Sequence, residues 1–256
     1  MAEPRTYQTE AIVIRKMKLG EADRILTLYT LERGKIEAVA RGVRKSQSKL
    51  AGHLELLTHS LVTLARGRTL DTIIGSQTIN GFYELKTNLW LSSCGLYVSE
   101  LVNQFNAEHV ENKPLFYLFL DTLKQLCEAN NALIIIRHFE MQLLELSGYK
   151  PQLQVCSACQ AELKPVVNLF CARAGGIICP KCRDENPASI PVSVDALKVL
   201  RFLQQNDTAT VRRLKVKVEL SEELQRIMSN YIHYILEREI KSSAWLDTLR
   251  DQIRSM

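Results

Sequence analysis

The first eighty residues carry short apolar runs that alternate, and the period then changes. Tyr7 to Arg15 contains Ala11-Ile12-Val13-Ile14, Arg24 to Thr30 contains Ile25, Leu26, Leu28 and Tyr29, and Lys35 to Ala40 contains Ile36 and Val39. Glu32-Arg33-Gly34 supplies a turn between the last two runs. Leu54 to Leu64 and Leu70 to Ile79 add two more, joined by Ala65-Arg66-Gly67-Arg68. Five short strands in this length predict a small barrel or sandwich. A five-stranded OB barrel is the leading candidate, and periodicity does not separate it from other small β folds.

After Gly81 the apolar positions recur three and four apart, which predicts helices over 82–105, 114–128 and 131–147; Ile136, Phe139, Leu143 and Leu146 make one such face. Gly148 is a C-cap. Helix returns after Pro187 and Pro191. Ser193 N-caps a helix to Gln205, Ser221-Glu222-Glu223 opens another to Glu239, and Ser243 to Arg254 forms the last. The expected class is α+β, a β-barrel followed by an interrupted helical domain. The boundaries fall at 1–80, 81–150, 151–190 and 191–256.

The interruption carries the strongest chemical signal. Cys156-Ser-Ala-Cys159 and Cys179-Pro-Lys-Cys182 lie 19 residues apart. Two C-x-x-C pairs at this separation are the pattern of a tetrahedral Zn²⁺ site, because each pair turns both sulfurs toward one ion. Four thiolates leave no open position, so the expected zinc is structural, one per chain, with Cys156, Cys159, Cys179 and Cys182 as ligands. Gly175-Gly176 predicts a hairpin turn into the second knuckle, hence a zinc ribbon. Cys94 and Cys127 sit on helical apolar stripes and read as core residues. Cys171 lies inside the ribbon without a partner at knuckle spacing. Such cysteine usage indicates a reducing, intracellular compartment.

Net charge is +5, and residues 1–80 hold 13 Lys and Arg against 8 Asp and Glu. The rest of the chain is balanced, so the basic surface belongs to the first third. Ala38 to Leu54 contains Arg41, Arg44, Lys45 and Lys49 and no acidic residue. Basic loops rich in Ser and Gly can lie along phosphates. A second cluster, Arg212-Arg213-Leu214-Lys215-Val216-Lys217, precedes Glu219, Glu222 and Glu223, which predicts local ion pairing.

The run Gly20-Glu21-Ala-Asp23-Arg24-Ile-Leu-Thr27-Leu-Tyr-Thr30-Leu-Glu-Arg-Gly34-Lys35-Ile, followed by Ala40-Arg41-Gly42-Val-Arg44-Lys45-Ser46 and Leu50-Ala-Gly52-His-Leu54-Glu55, resembles the N-terminal signature of the RecO family of bacterial recombination mediators. The resemblance covers the whole chain. It implies an N-terminal OB-fold DNA-binding domain, a helical domain with an inserted four-cysteine ribbon, and no enzymatic active site. It also implies a role in DNA repair and homologous recombination by the RecF pathway. That role comprises binding single- and double-stranded DNA, annealing complementary strands and, with RecR, helping to load RecA onto DNA coated with single-stranded-DNA-binding protein. Arg41, Arg44, Lys45 and Lys49 match the family's basic loop, with Arg15, Lys16 and Lys18 as neighbours on the first strand and its exit. Only Tyr7 and Tyr29 are available for base stacking in the barrel, so backbone electrostatics are expected to dominate.

Two other classes compete with this reading. His138-Phe139-Glu140 ahead of a C-x-x-C nominally fits a zinc deaminase, but Val155 and Ile178 stand where that signature has proline, and residues two apart on a helix face apart. A zinc-ribbon, sequence-specific DNA-binding regulator using the C-terminal helices is the alternative. The polar start Met1-Ala-Glu-Pro-Arg and the lack of an uncharged run of about 18 apolar residues predict no leader and no membrane span. The expected location is cytoplasmic and nucleoid-associated.

Overall fold

The computed structural model of the chain describes residues 5–129 and 131–254, so the reading of a polar start at residues 1–4 lies outside it. Contacts divide the chain into two compact units, Met1–Cys127 with Ser242–Met256, and Glu128–Lys241.

In the first unit β1 (Thr6–Leu19), β2 (Asp23–Thr30), β3 (Gly34–Ala40), β4 (His59–Ala65) and β5 (Asp71–Asn80) close into a barrel in the order β1-β2-β3-β5-β4. All neighbours are antiparallel except β3 and β5, which pair in parallel at Ala38–Asp71 and Val39–Thr72. This is the OB strand order, so the α+β class with an OB barrel stands. Alternation does the sorting: Ala11, Val13, Leu26, Leu28, Ile36, Ala38, Val62, Leu64 and Ile73 share the interior. Val43 and Leu54, from the loop after β3, join the same core.

The register of β1 against β2 shifts between Val13 and Arg15. At this bulge the Val13 N–H donates to the Thr58 carbonyl at 3.2 Å, and the Val13 carbonyl accepts from the Leu57 N–H at 2.8 Å. A bulge bends its strand, which lets one long strand pair on both edges of a small barrel.

The outer face near β1 and β2 is also buried. Ile12, Tyr29 and His59 lie there, and α1 (Tyr83–Thr87), α2 (Leu89–Phe105) and α3 (Lys113–Cys127) follow the barrel in the same unit. The Tyr29 ring centroid is 6.3 Å from Phe116 and 6.4 Å from Phe119. Burying a side chain of this size stabilises by about 2–3 kcal/mol, and the burial pushes its hydroxyl pKa up. His59 stacks edge-on to Phe116 at 5.9 Å, and burial lowers its pKa against the opposing pull of Glu10, which its Nε2 meets at 2.8 Å. α8 (Lys241–Arg254) returns to this unit, where Trp245 Nε1 donates to Ser93 Oγ at 3.1 Å.

The second unit is built on α4 (Ala132–Leu146), which is buried from Ile134 to Met141. An Arg137–Glu140 pair at 2.9 Å lies within it. α5 (Val194–Gln205), α6 (Thr208–Val211) and α7 (Val218–Leu236) complete the helices. Between α4 and α5 run β6 (Asn168–Cys171), β7 (Gly176–Ile178) and β8 (Ile190–Val192), forming a small sheet in the order β7-β6-β8. Pro191 is tolerated because β8 is an edge strand.

Three expected elements differ in detail. The helix over 82–105 divides at Asn88, whose side chain accepts from the Leu91 N–H at 3.1 Å and starts α2 afresh. The run Leu54 to Leu64 is not one strand, because Leu57 adopts a left-handed φ of 61° and β4 begins only at His59. α7 begins at Val218 and stops at Leu236, where Glu237 takes a left-handed φ of 51°. No described helix is long and apolar enough to cross a membrane.

Gly34 shows how tightly the β2–β3 turn is held. Its φ is +61°, and a Cβ there would meet the Val110 carbonyl oxygen at 1.8 Å. Gly20 has a φ of +58° with nothing near the same position. Gly34→Ala is expected to destabilise the chain by about 2–4 kcal/mol, and Gly20→Ala by about 1–2 kcal/mol from backbone strain alone. Denaturant midpoints of the two variants check the difference; equal losses would mean that the Val110 approach does not constrain the turn.

Candidate nucleic-acid interface and metal centre

The basic loop is fixed by the hairpin beside it. Asp23, the first residue of β2, accepts the Gly42 N–H on Oδ1 at 2.7 Å, and the Arg44 N–H donates to the Ala22 carbonyl at 2.9 Å. Arg44 Nη1 reaches the Gly20 carbonyl at 3.1 Å. Successive turns follow, from Lys45 N–H to Gly42 at 3.1 Å and from Ser48 N–H to Lys45 at 3.0 Å. Gly42 has a φ of +63°, which lets the chain leave β3 and turn across the hairpin tip. Val43 is the buried anchor, while Arg41, Arg44, Lys45 and Lys49 stay exposed around it. The result is a cluster of cations on an ordered backbone.

The residues expected on the first strand separate. Lys16 pairs with Leu26 and Lys18 with Arg24 in the ladder, whereas Arg15 pairs with Thr27. Strand alternation therefore puts Lys16 and Lys18 on one face and Arg15 on the other. Lys18 is exposed; Lys16 is half-buried and forms an ion pair with Glu55. Glu55 also lies 4.0 Å from Arg24. Lys86 Nζ donates to Thr58 Oγ1 at 2.5 Å, and its pKa is lowered by burial and by Lys16, against the pull of Glu55. Glu55 thus offsets Lys16, Arg24 and Lys86. Of the expected seven cations, four lie in the loop, Lys18 is exposed on β1, Lys16 is held in an ion pair and Arg15 lies on the opposite face of the strand.

Sequence reasoning passed over Asp23 and Arg24 as site residues. Both were visible in the N-terminal signature, but only the fold shows that Asp23 latches the loop and that Arg24 stands opposite Lys18.

Both barrel tyrosines are engaged within the structure. Tyr29 is fully buried against Phe116 and Phe119. The Tyr7 hydroxyl donates to Asp71 Oδ2 at 2.6 Å, and its ring carries the Arg33 and Arg66 guanidiniums at 4.2 and 5.2 Å. Burial, then the bond to Asp71, pushes the Tyr7 pKa up.

The four cysteines of the second unit converge. Their Sγ atoms all lie within 4.8 Å of one another. The separations are 3.9 Å for Cys156–Cys182, 3.8 Å for Cys159–Cys179 and 3.7 Å for Cys179–Cys182. A tetrahedron with metal–sulfur bonds of about 2.3 Å has edges of about 3.8 Å, so the thiolates fit a single ion. The Cys179 N–H donates to Cys156 Sγ at 3.2 Å, as expected of a knuckle that stabilises thiolate. Burial pushes the Cys156 thiol up, but N–H bonds from Cys159, Cys179 and Ala158 prevail and hold it at about 6. The β6–β7 hairpin turns at Gly175, with φ +67°, as the Gly175-Gly176 pair predicts. Gln152 bonds both sides of that turn, its N–H to Gly175 at 2.9 Å and its carbonyl from Ile177 at 2.8 Å, bringing the first knuckle against the second.

Cys171 stays outside this set: its Sγ lies 3.5 Å from Asn186 Oδ1. Cys94 is buried as expected, whereas Cys127 at the end of α3 is only half-buried. The deaminase residues are used structurally. His138 Nε2 donates to the Asn206 carbonyl at 2.9 Å, and Glu140 holds Arg137.

The chain matches two family descriptions, "Recombination protein O N terminal" over residues 1–82 and "Recombination protein O C terminal" over residues 87–244. A protein of Dehalococcoides mccartyi named DNA repair protein RecO is 45% identical over 249 residues, covering 97% of this chain and 98% of that one. One of the same name from Roseiflexus is 38% identical over 98% of this chain and 88% of its own length. Another from Desulforamulus reducens is 34% identical over 96% and 95%.

Removing one knuckle sulfur tests the metal centre. Cys159→Ser is expected to lose the bound metal and to open residues 151–190 to protease. Metal analysis and limited proteolysis of the purified variant read this directly. Retention of one equivalent of metal with an intact ribbon would show that the four sulfurs are not the ligand set.

Proposed function

This chain belongs to the RecO family, and we propose that it works as a recombination mediator in the RecF pathway. On this reading residues 1–80 are the DNA-binding domain. They bind single- and double-stranded DNA, bring complementary strands together and, with RecR, help to load RecA onto DNA covered by single-stranded-DNA-binding protein. The observation that carries this reading is the latched loop of Arg41, Arg44, Lys45 and Lys49 on an OB barrel whose tyrosines are already engaged. Cations on a fixed backbone contact phosphates wherever they fall along a strand. Phosphate contacts of this kind favour no base, which suits a protein that handles arbitrary sequences in both single and paired form.

Zinc is the ion that best suits the four-thiolate tetrahedron. Soft thiolates in this geometry select zinc or an iron–sulfur centre, and two C-x-x-C knuckles closing on one ion point to zinc. With its coordination filled, the ion holds the ribbon's shape and takes no part in a chemical step. Structural zinc contributes about 10–16 kcal/mol in small peptides at neutral pH, ample for a sheet whose strands number three or four residues. The reading assigns the chain no catalysis; any ATP-driven work belongs to partners.

Salt dependence tests the phosphate contacts. If about four loop cations contact DNA, log K is expected to fall with log salt at a slope of about −3 on single strands and about −3.6 on duplex. Replacing Arg41, Arg44, Lys45 and Lys49 with alanine should flatten both slopes and reduce affinity alike for unrelated sequences. A slope near zero in the parent chain, or an unchanged one in the variant, would remove the loop from the interface. Failure of the parent to anneal complementary strands, naked or coated, would count against the mediator role itself.

A further inference from the structure

Tyr83 is the most exposed of the large hydrophobic and aromatic side chains among the described residues, at 74%. It opens α1, just past the end of β5 at Asn80. The local backbone turns it outward. Phe82, directly before it, takes a left-handed φ of 48°, a conformation that bulky residues rarely adopt, and its N–H donates to Asn80 Oδ1 at 2.8 Å. Phe82 is buried in this way, and α1 buries Leu85, which lies about 200° around the helix from Tyr83. Neither the ring nor the hydroxyl of Tyr83 has a partner among the described residues. Packing does not account for an aromatic side chain in this place.

Topology places the ring with the loop cations. β3 and β5 run parallel, so the basic loop that leaves β3 at Ala40 and the helix that follows β5 lie at the same end of the barrel. Contacts link the two. Lys86, one turn after Tyr83, donates to Thr58 Oγ1 and lies near Glu55 and Lys16. Glu55 directly follows the basic segment and reaches Arg24 at 4.0 Å, whose neighbour Asp23 latches Gly42. Both features belong to the first compact unit. Two carboxylates are exposed at this end as well, Glu21 in the β1–β2 turn and Glu84 beside Tyr83. Glu84 repels a phosphate from the ring, which leaves the uncharged face of a base as the part of a strand that Tyr83 can take.

We propose that Tyr83 is a stacking platform for one unpaired base of a strand whose phosphates lie on the loop of Arg41, Arg44, Lys45 and Lys49. This rests on the DNA-binding reading of the barrel and deepens it. Every base has a π-face, so a single ring orders a strand without reading its sequence. Stacking covers the face of the base and leaves its pairing edge open, so the strand still accepts a complement. A base pair inside a duplex is already stacked on both sides and cannot use the ring. Tyr83 thus separates single strands from duplex, which the loop cations alone do not.

The test uses the full chain with Tyr83→Ala and, separately, Tyr83→Trp; thermal midpoints equal to the parent's verify the fold. Labelled oligo(dT), an abasic strand with the same number of phosphates, and a mixed-sequence duplex report affinity across a range of salt. Tyr83→Ala is expected to weaken oligo(dT) binding about tenfold while the abasic strand and the duplex stay within about twofold of the parent. All salt slopes should be unchanged, because no phosphate contact is lost. Tyr83→Trp should restore the affinity for oligo(dT). Parental binding of oligo(dT) by Tyr83→Ala overturns the platform, and so does an equal loss on the abasic strand, which would make the residue part of the backbone-binding surface. A shift from dimer to monomer in sedimentation, with oligo(dT) binding unchanged, overturns it in favour of a second copy of the chain. Any of these results leaves the salt slope of the loop in place and the barrel reading intact, whereas a parent chain that binds no DNA removes both.

Discussion

The first unit depends on what β1 is made to do. It pairs with β2 along one edge and with β4 along the other, and it is buried on both faces between Ala11 and Ile14. A straight strand cannot meet both partners of a five-stranded barrel, so the bulge between Val13 and Arg15 sets the curvature that closes the ring. The same bulge hands the Val13 backbone to Leu57 and Thr58, which fixes where the loop after β3 returns. Because that loop is anchored at this end and latched to Asp23 at the other, the exposed cations between acquire a defined backbone. Closure of the barrel and presentation of the charge are one constraint.

The second unit solves a smaller problem by other means. Its sheet has strands of three and four residues, and its core cluster includes cysteines alongside Leu169 and Ile178. Apolar area on this scale cannot offset the entropy of ordering the segment. The sulfurs of the four cysteines lie close enough to hold a metal ion, which would provide what packing does not, and the Gln152 bonds to Gly175 and Ile177 tie the segment before the first knuckle to the hairpin before the second. Cys171 stays out for the same geometric reason. It lies on β6, in the ladder opposite Gly176, and not in a knuckle.

Much of this was legible in the chain, because alternation, knuckle spacing and glycine turns are local. The misses were local conformations without a residue that announces them. Leu57 and Glu237 are left-handed although neither is glycine or asparagine, so the run from Leu54 read as one strand and α7 read as ending at Glu239. Ser221-Glu222-Glu223 looked like a helix start, yet Glu223 is spent on Ser193 and the helix opens earlier at Val218. Asn88 was a genuine N-cap hidden inside a long apolar period. At the site, the cation cluster was readable from composition, but its division was not. Lys16 and Arg15 differ only by one residue in sequence and by a whole face in the strand, and a bulge sits immediately before them.

The placement of its aromatic side chains determines what this barrel could offer a nucleic-acid strand. An OB barrel that grips single strands by stacking must leave rings open on its surface, where each stacked base adds about 1–3 kcal/mol. This barrel uses Tyr29 to bury its outer wall and clamps Tyr7 between Asp71 and two guanidiniums. The exposed loop after β3 carries charge. Charge attracts both strands of a duplex and either strand alone, and it weakens smoothly with salt without discriminating among sequences. A protein that stacked bases tightly would hold each strand away from its complement. One that holds only phosphates leaves the pairing edges free, and the two tyrosines of this barrel are already engaged within the structure.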